Sequence, residues 1–264
     1  VAYKYPAEQV TTIVKDIIVR VGRTGVLTPL AIFKPIRVAG SLVSKATLHN
    51  MDQIERLGLR ILDTVVIEKA GDVIPKVVEV MHRLRTGKEK KFNMPVVCPV
   101  CGGQIIKNVS GFGVRGLPKT ESVAYFCTNK KCGAKNDRLL EHFVSVFEIY
   151  ELGPKILRRF QDEGLISDPA DIFTLKKEDI VMLPRFGEKS AENIINEINQ
   201  KKKISLNRFL WALGILHLGE ETSRDLANHF TSLEKIISAN KEELESLENI
   251  GPAVSKSIYE YFKN

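Results

Sequence analysis

Four cysteines carry the most specific chemistry in this chain. Cys98 and Cys101 form a Cys-x2-Cys pair, Cys127 and Cys132 a Cys-x4-Cys pair, and 25 residues lie between the pairs. No other cysteine occurs in the 264 residues. A short pair makes a turn that aims two thiolates at one point, so two such pairs across a loop suit a tetrahedral zinc ion. Gly102 and Gly103 follow the first pair, where they let backbone amides turn toward sulfur. Four protein ligands complete the coordination, which makes such a zinc structural rather than catalytic. Four separate buried thiols, or two disulfides, are the competing readings of the same residues.

A second set of residues could bind phosphate. Gly153, Gly187, Gly219 and Gly251 recur at spacings of 34, 32 and 32 residues, each after an apolar residue and each opening an amphipathic run. The four turns are Tyr150–Lys155, Pro184–Lys189, Leu216–Glu221 and Glu248–Ala253. A helix N-terminus leaves its first N–H groups without partners and carries partial positive charge. Glycine there lets a phosphate approach the amides without any base being read. Lys155, Lys189 with Ser190, and Ser255 with Lys256 stand in the first helical turns and can add to the contact. Pro154 and Pro252 occupy first-turn positions where no N–H is lost to the helix. A stack of ordinary helix pairs with tight glycine turns is the plainer alternative. Four in register describe tandem helix-hairpin-helix motifs.

Charge is distributed unevenly. Residues 1–80 carry 11 Lys and Arg against 8 Asp and Glu, residues 81–140 carry 12 against 3, and residues 141–264 carry 16 against 21. The net +7 therefore rests on a basic middle segment that includes Arg83, Arg85, Lys88, Lys90, Lys91, Lys107, Arg115, Lys119, Lys130, Lys131, Lys135 and Arg138. Such a patch is the footprint expected for nucleic-acid phosphates, although a solvated basic surface has the same composition. No run of 18 apolar residues occurs, so no helix is expected to cross a membrane. Trp211 sits in an apolar helical run and belongs to a core. The five histidines are scattered at no metal-binding spacing, and no Ser-His-Asp or Walker-type arrangement appears. Val1 follows neither an initiator methionine nor a signal pattern, so the chain reads as the middle of a longer protein.

The elements that position these residues follow from periodicity. Residues 9–38 alternate as strands broken at Gly22–Gly25, with Pro29 and Pro35 suggesting an edge or bent second strand. Residues 49–58 suit a short helix closed by Gly58, and strand character returns at 64–67 and 73–81 across a turn at Ala70–Asp72. Strands on both sides of one helix suit a small Greek-key barrel of the OB type. A polar linker, 82–95, precedes the cysteine segment, and from Asn136 the pattern is helical. The expected fold is multidomain: an OB-type β-barrel, a small four-cysteine zinc ribbon and an all-α domain of tandem hairpins.

Particular segments resemble one family along the whole chain. Ala2-Tyr3-Lys4-Tyr5-Pro6-Ala7-Glu8 is similar to the last nucleotidyltransferase motif of bacterial NAD-dependent DNA ligases. Val21-Gly22-Arg23-Thr24-Gly25, Ala46-Thr47-Leu48-His49-Asn50 and Gly71-Asp72-Val73-Ile74-Pro75 resemble the segments that follow in that family, as do the cysteines and the four hairpins. The resemblance implies domains at 1–8 (end of the nucleotidyltransferase domain), 9–92 (OB-fold), 93–134 (zinc finger) and 135–264 (helix-hairpin-helix). It implies Lys4 against the adenylate phosphate, Arg23 and Thr24 on DNA near a nick, and Lys69, Val73 and Ile74 in a turn facing that DNA.

The same resemblance implies a whole enzyme that seals 5′-phosphate/3′-hydroxyl nicks with NAD and Mg2+, working as a monomer on the nucleoid in the bacterial cytoplasm. The family adenylates a lysine in a Lys-x-Asp-Gly motif, and that tetrapeptide is absent here. This segment is therefore expected to hold no catalytic residue, to depend on an upstream nucleotidyltransferase domain and to be inactive alone. The family's Gly-x-Gly turn has Glu151, Arg185, His217 and Asn249 at its first glycine. Glu151 would repel a phosphate most strongly. A non-catalytic DNA-binding or repair module with the same parts is the competing class.

Overall fold

The computed structural model of the chain describes residues 8–69, 75–112 and 120–263. Two units divide between Lys135 and Asn136. In the first, strands β1 (Glu8–Val21), β2 (Leu27–Val38) and β3 (Ser41–Thr47) precede helix α1 (Met51–Leu57), and then come β4 (Arg60–Ile61), β5 (Thr64–Lys69), β6 (Lys76–Val80) and β7 (Lys90–Lys91). Five of these close a barrel in the order β1-β2-β3-β6-β5, with β3 and β6 meeting in parallel at Thr47 and Lys76.

Parity explains how the barrel bends. Val14 and Ile17 both point inward at an odd spacing, which a regular strand forbids because successive side chains alternate. A bulge between Val14 and Asp16 supplies the extra residue. Phe33 and Val38 repeat the problem on β2, and the register shifts between Ile32 and Ile36, around Pro35. The second strand is thus bent, but it is no edge: it pairs with β1 on one side and β3 on the other. Val77 and Val80 show a third odd spacing, with the shift at Val66/Ile67 opposite them.

The core joins Val14, Ile17, Ala31, Phe33, Val65 and Ile67 to Leu48, Ile54 and Leu59 of the α1 region. Each fully buried Val, Ile or Phe there contributes about 1.5–3 kcal/mol of transfer free energy. Asn50 caps α1 by accepting the Gln53 N–H at 2.9 Å, and Gly58 ends it at φ 58°. The polar segment after β6 is pinned by an ion pair. Arg85 Nε and one Nη each donate to Asp63 at 2.8 Å, and the Asp63 carboxylate is fully buried.

Beyond the barrel, β8 (Ile105–Phe112) and β9 (Thr120–Cys127) form a two-stranded antiparallel sheet that carries the cysteine segment. The second unit is helical: α2 (Gly133–Phe147, beginning in the first unit), α3 (Pro154–Asp162), α4 (Lys177–Val181), α5 (Glu188–Lys201), α6 (Leu206–Ala212), α7 (Glu220–Phe230), α8 (Leu233–Ser238), α9 (Lys241–Glu245) and α10 (Pro252–Lys263). It holds two cores. Leu140, Phe143, Phe147, Phe160, Ile180 and Ile194 gather in one, Leu210, Leu226, Leu244 and Ile258 in the other. Trp211 packs on the first, edge-on to His142, whose Nε2 lies 2.8 Å from the Trp211 carbonyl oxygen.

Candidate metal centre and nucleic-acid interface

The Cys98-Pro99-Val100-Cys101 knuckle closes because the Cys98 N–H donates to Gly103 O at 2.8 Å and the Gly102 N–H to Cys98 O at 2.9 Å. Gly102 takes φ 69°, a conformation glycine adopts without strain. Cys127 ends β9 and Cys132 precedes α2, which brings the second pair to the same point. All four sulfurs lie within 4.8 Å of one another, Cys98 to Cys132 at 3.9 Å and Cys101 to Cys127 at 3.6 Å. A tetrahedron with Zn–S bonds of about 2.3 Å has edges of about 3.8 Å, so the group has the size a zinc ion requires. No disulfide joins these cysteines.

The thiols are electrostatically unequal. The Gly103 amide draws Cys101 down to about 6, while burial pushes Cys127 up to about 12 and raises Cys132 as well. Three of the four are buried. A cation that stabilises every thiolate is the partner such a set calls for.

Hairpins surround each of the four glycines: α2/α3 at Gly153, α4/α5 at Gly187, α6/α7 at Gly219 and α9/α10 at Gly251. The apolar residues before them, Leu152, Leu218 and Ile250, are buried anchors, and Phe186 is half-buried. Gly153, Gly187 and Gly219 are N-caps with negative φ and no side-chain cap, so backbone strain does not require glycine. A Cβ at any of the four would meet nothing within 4 Å. Each helix N-terminus therefore opens onto free space, the geometry in which a phosphate can reach backbone amides.

The hairpins differ in what surrounds them. Between the first two lies a cleft of about 610 Å3 lined by Lys155, Ile156, Arg159, Pro184, Arg185 and Phe186. Lys155, Lys189 and Arg185 are exposed, and Arg159 is paired with Glu163 at 2.7 Å. The Glu151 N–H is already taken by the Glu197 carboxylate at 2.7 Å, which sets a second acid beside that turn. Ser190 is exposed, but Ser255 is not available to a phosphate. It is fully buried, with its hydroxyl donating to Glu245 at 2.6 Å. Glu220 and Glu221 occupy the first turn of α7, where they favour the helix dipole but oppose an anion.

On the barrel, Arg23 and Thr24 lie half-buried in the β1–β2 turn. Lys69 is placed differently from expectation. It shares the inward parity of Val65 and Ile67, is only 8% exposed and donates to Ser41 Oγ at 2.6 Å. Arg85, counted in the basic segment, is neutralised by Asp63, and Arg138 pairs with Glu141. Lys4, Val73, Ile74, Arg115 and Lys119 lie outside the described residues. Sequence reasoning missed Arg159 and Arg185 as neighbours across two hairpins, since no periodicity reports a contact between separate helix pairs.

Comparison with known proteins agrees with this geometry. Residues 11–89 match the family described as NAD-dependent DNA ligase OB-fold domain, residues 140–200 a SAM-like helix-hairpin-helix tandem and residues 208–264 a helix-hairpin-helix motif. Over all of its length the chain is 47% identical to a protein named DNA ligase from Pelotomaculum thermopropionicum, and 45% to one from Caldicellulosiruptor saccharolyticus. It is 45% identical to a third, from Desulforudis audaxviator, over 99% of its length. The barrel and the tandem hairpins are the parts these family models describe, the barrel as that of a DNA ligase. The chain's similarity is to part of an NAD-dependent DNA ligase, and it spans about 38% of the length of these relatives.

Proposed function

We propose that this chain grips nicked double-stranded DNA for a ligase whose nucleotidyltransferase domain lies upstream. The observation that carries the reading is the set of four helix N-termini, each led by a glycine whose Cβ position is open. Such sites bind phosphate and ignore base identity. Gly153 with Lys155, Gly187 with Arg185 and Lys189, Gly219 and Gly251 are the proposed contacts of the helical unit, and Arg23 with Thr24 those of the barrel. The four cysteines hold one structural zinc. In the whole enzyme NAD supplies the adenylate that is transferred, with Mg2+ assisting. Lys4 faces the adenylate phosphate, and Val73 and Ile74 meet the duplex. The setting is the bacterial cytoplasm, on the chromosome, with the protein acting as a monomer.

Titration of two unrelated nicked duplexes at several salt concentrations tests the reading. Affinity should be similar for both sequences and should fall steeply with salt, because phosphate contacts release condensed counterions. A strong preference for one sequence, or affinity indifferent to salt, would overturn it.

A further inference from the structure

The turn that carries Arg23 is not held by the barrel alone. Within it the Gly25 N–H donates to Gly22 O at 2.9 Å and the Gly22 N–H to Val26 O at 2.8 Å. Its outer side is taken by the four-cysteine module. The Cys127 N–H donates to Gly25 O at 2.9 Å, and Val26 forms an antiparallel bridge with Phe126 beside it. Lys135 completes the contact, its ammonium donating to Cys127 O at 2.7 Å. Val21 and Leu27, which flank the turn, pack in one cluster with Cys98, Cys127 and Cys132.

Gly25 is demanded twice over. It adopts φ +87°, and a Cβ there would stand 2.3 Å from Lys135 Cε and 3.0 Å from Cys127 O. The lysine could swing aside, but the carbonyl belongs to a metal ligand's backbone. Arg23, two residues earlier, is half-buried and forms no hydrogen bond or ion pair among the described residues. Burial pushes its pKa below the ordinary arginine value. A partly desolvated guanidinium without a counter-ion is unfavourable until an anion pairs with it.

We propose that the metal-organised Cys127 holds the Arg23 turn in the conformation that meets a DNA phosphate, with Gly25 and Lys135 as positioning residues. The proposal rests on the DNA-binding reading above. It gives the zinc module a task beyond its own folding: presenting a cation that belongs to the barrel.

The test uses the zinc-loaded chain, a nicked duplex, and the variants Arg23→Ala, Gly25→Ala and Lys135→Met alone and combined. Metal content is measured for each. Arg23→Ala should weaken binding about tenfold and lower the slope of log affinity against log salt by about one contact. Gly25→Ala should keep one zinc per chain and reproduce both changes, with no further loss when Arg23→Ala is added. Lys135→Met should behave in the same way. That result separates a positioning lysine from one that touches phosphate, because independent contacts add.

Zinc-loaded Gly25→Ala or Lys135→Met that binds as tightly as the unsubstituted chain, while Arg23→Ala binds weakly, overturns the proposal. So do losses that multiply in the double variants. Should Gly25→Ala fail to retain zinc, Lys135→Met decides alone. If the unsubstituted chain binds no nicked duplex, the DNA-binding reading itself falls, and the proposal with it.

Discussion

At the scale of single residues, two positions show how local chemistry and backbone conformation trade against each other. Cys127 is both a candidate metal ligand and a backbone donor to the barrel. Replacing it with serine leaves three thiolates and a hydroxyl that binds zinc poorly. Metal analysis of Cys127→Ser should give well under one zinc per chain, where the unsubstituted chain gives one, and proteolysis should open residues 96–134 first. Zinc retained at one per chain would show that this cysteine is no ligand.

His217 stands at the other extreme. It holds φ 67°, and Arg185 holds φ 74°, both in the left-handed region that favours glycine. A non-glycine residue in that region costs roughly 1–2 kcal/mol, and glycine returns about 0.5–1 kcal/mol of that as lost chain entropy. Thermal or denaturant unfolding of His217→Gly should therefore show a gain of up to about 1 kcal/mol. A clear loss of stability would mean that the imidazole makes up for the backbone it strains.

At the scale of elements, the unit that matters is the pair of short helices around a glycine. The anchor before the glycine is buried at three of the four turns and half-buried at Phe186, and the Cβ position of each glycine is open, so the turn is fixed from inside and open outside. This separation makes a clean experiment possible. Gly251→Ala adds one methyl group at a position with negative φ demand and no neighbour within 4 Å, so circular dichroism should show unchanged helix content. Affinity for a nicked duplex should nevertheless drop several-fold, because the methyl group stands where a phosphate oxygen approaches the amides. Unchanged affinity in the folded variant would leave that hairpin a purely structural turn. Gly153 is where such an outcome is expected first, since the Glu197 carboxylate already occupies the Glu151 amide.

At the scale of the whole molecule, charge divides with the two units. Residues 1–135 carry 22 Lys and Arg against 10 Asp and Glu, a net of +12, while residues 136–264 carry 17 against 22, a net of −5. In the proposed DNA complex, long-range attraction would thus come from the barrel and cysteine module. The acidic helical unit has to work at close range, through oriented amides and the Lys155–Arg185 cleft. Catalysis is a further matter. With no Lys-x-Asp-Gly in its 264 residues, the chain incubated with NAD should form no AMP adduct detectable by mass spectrometry, even while it binds nicked DNA. An adduct would locate an adenylated nucleophile within this segment and overturn its assignment as the DNA-gripping part.

Much was legible from residue type and spacing alone. Four cysteines in two short pairs announce their centre because a turn of two to four residues has few ways to aim its thiols. Alternating β-branched residues and a glycine every 32 to 34 positions announce barrel and hairpins because burial repeats with the element's own period. The bulges were not legible: with apolar residues at Ile13, Val14, Ile17, Ile18 and Val19, only burial shows that Val14 and Ile17 share the inner face at an odd spacing. Tertiary structure alone decided which charges are free. Asp63 claims Arg85, Ser41 takes the ammonium of Lys69, Glu245 takes Ser255, and Arg23 is left without a partner among the described residues. Each of these pairings but the one at Ser255 joins residues more than 20 positions apart, a separation that no local period encodes. A free cation and a neutralised one have the same letter in the sequence and differ only in what the fold brings beside them.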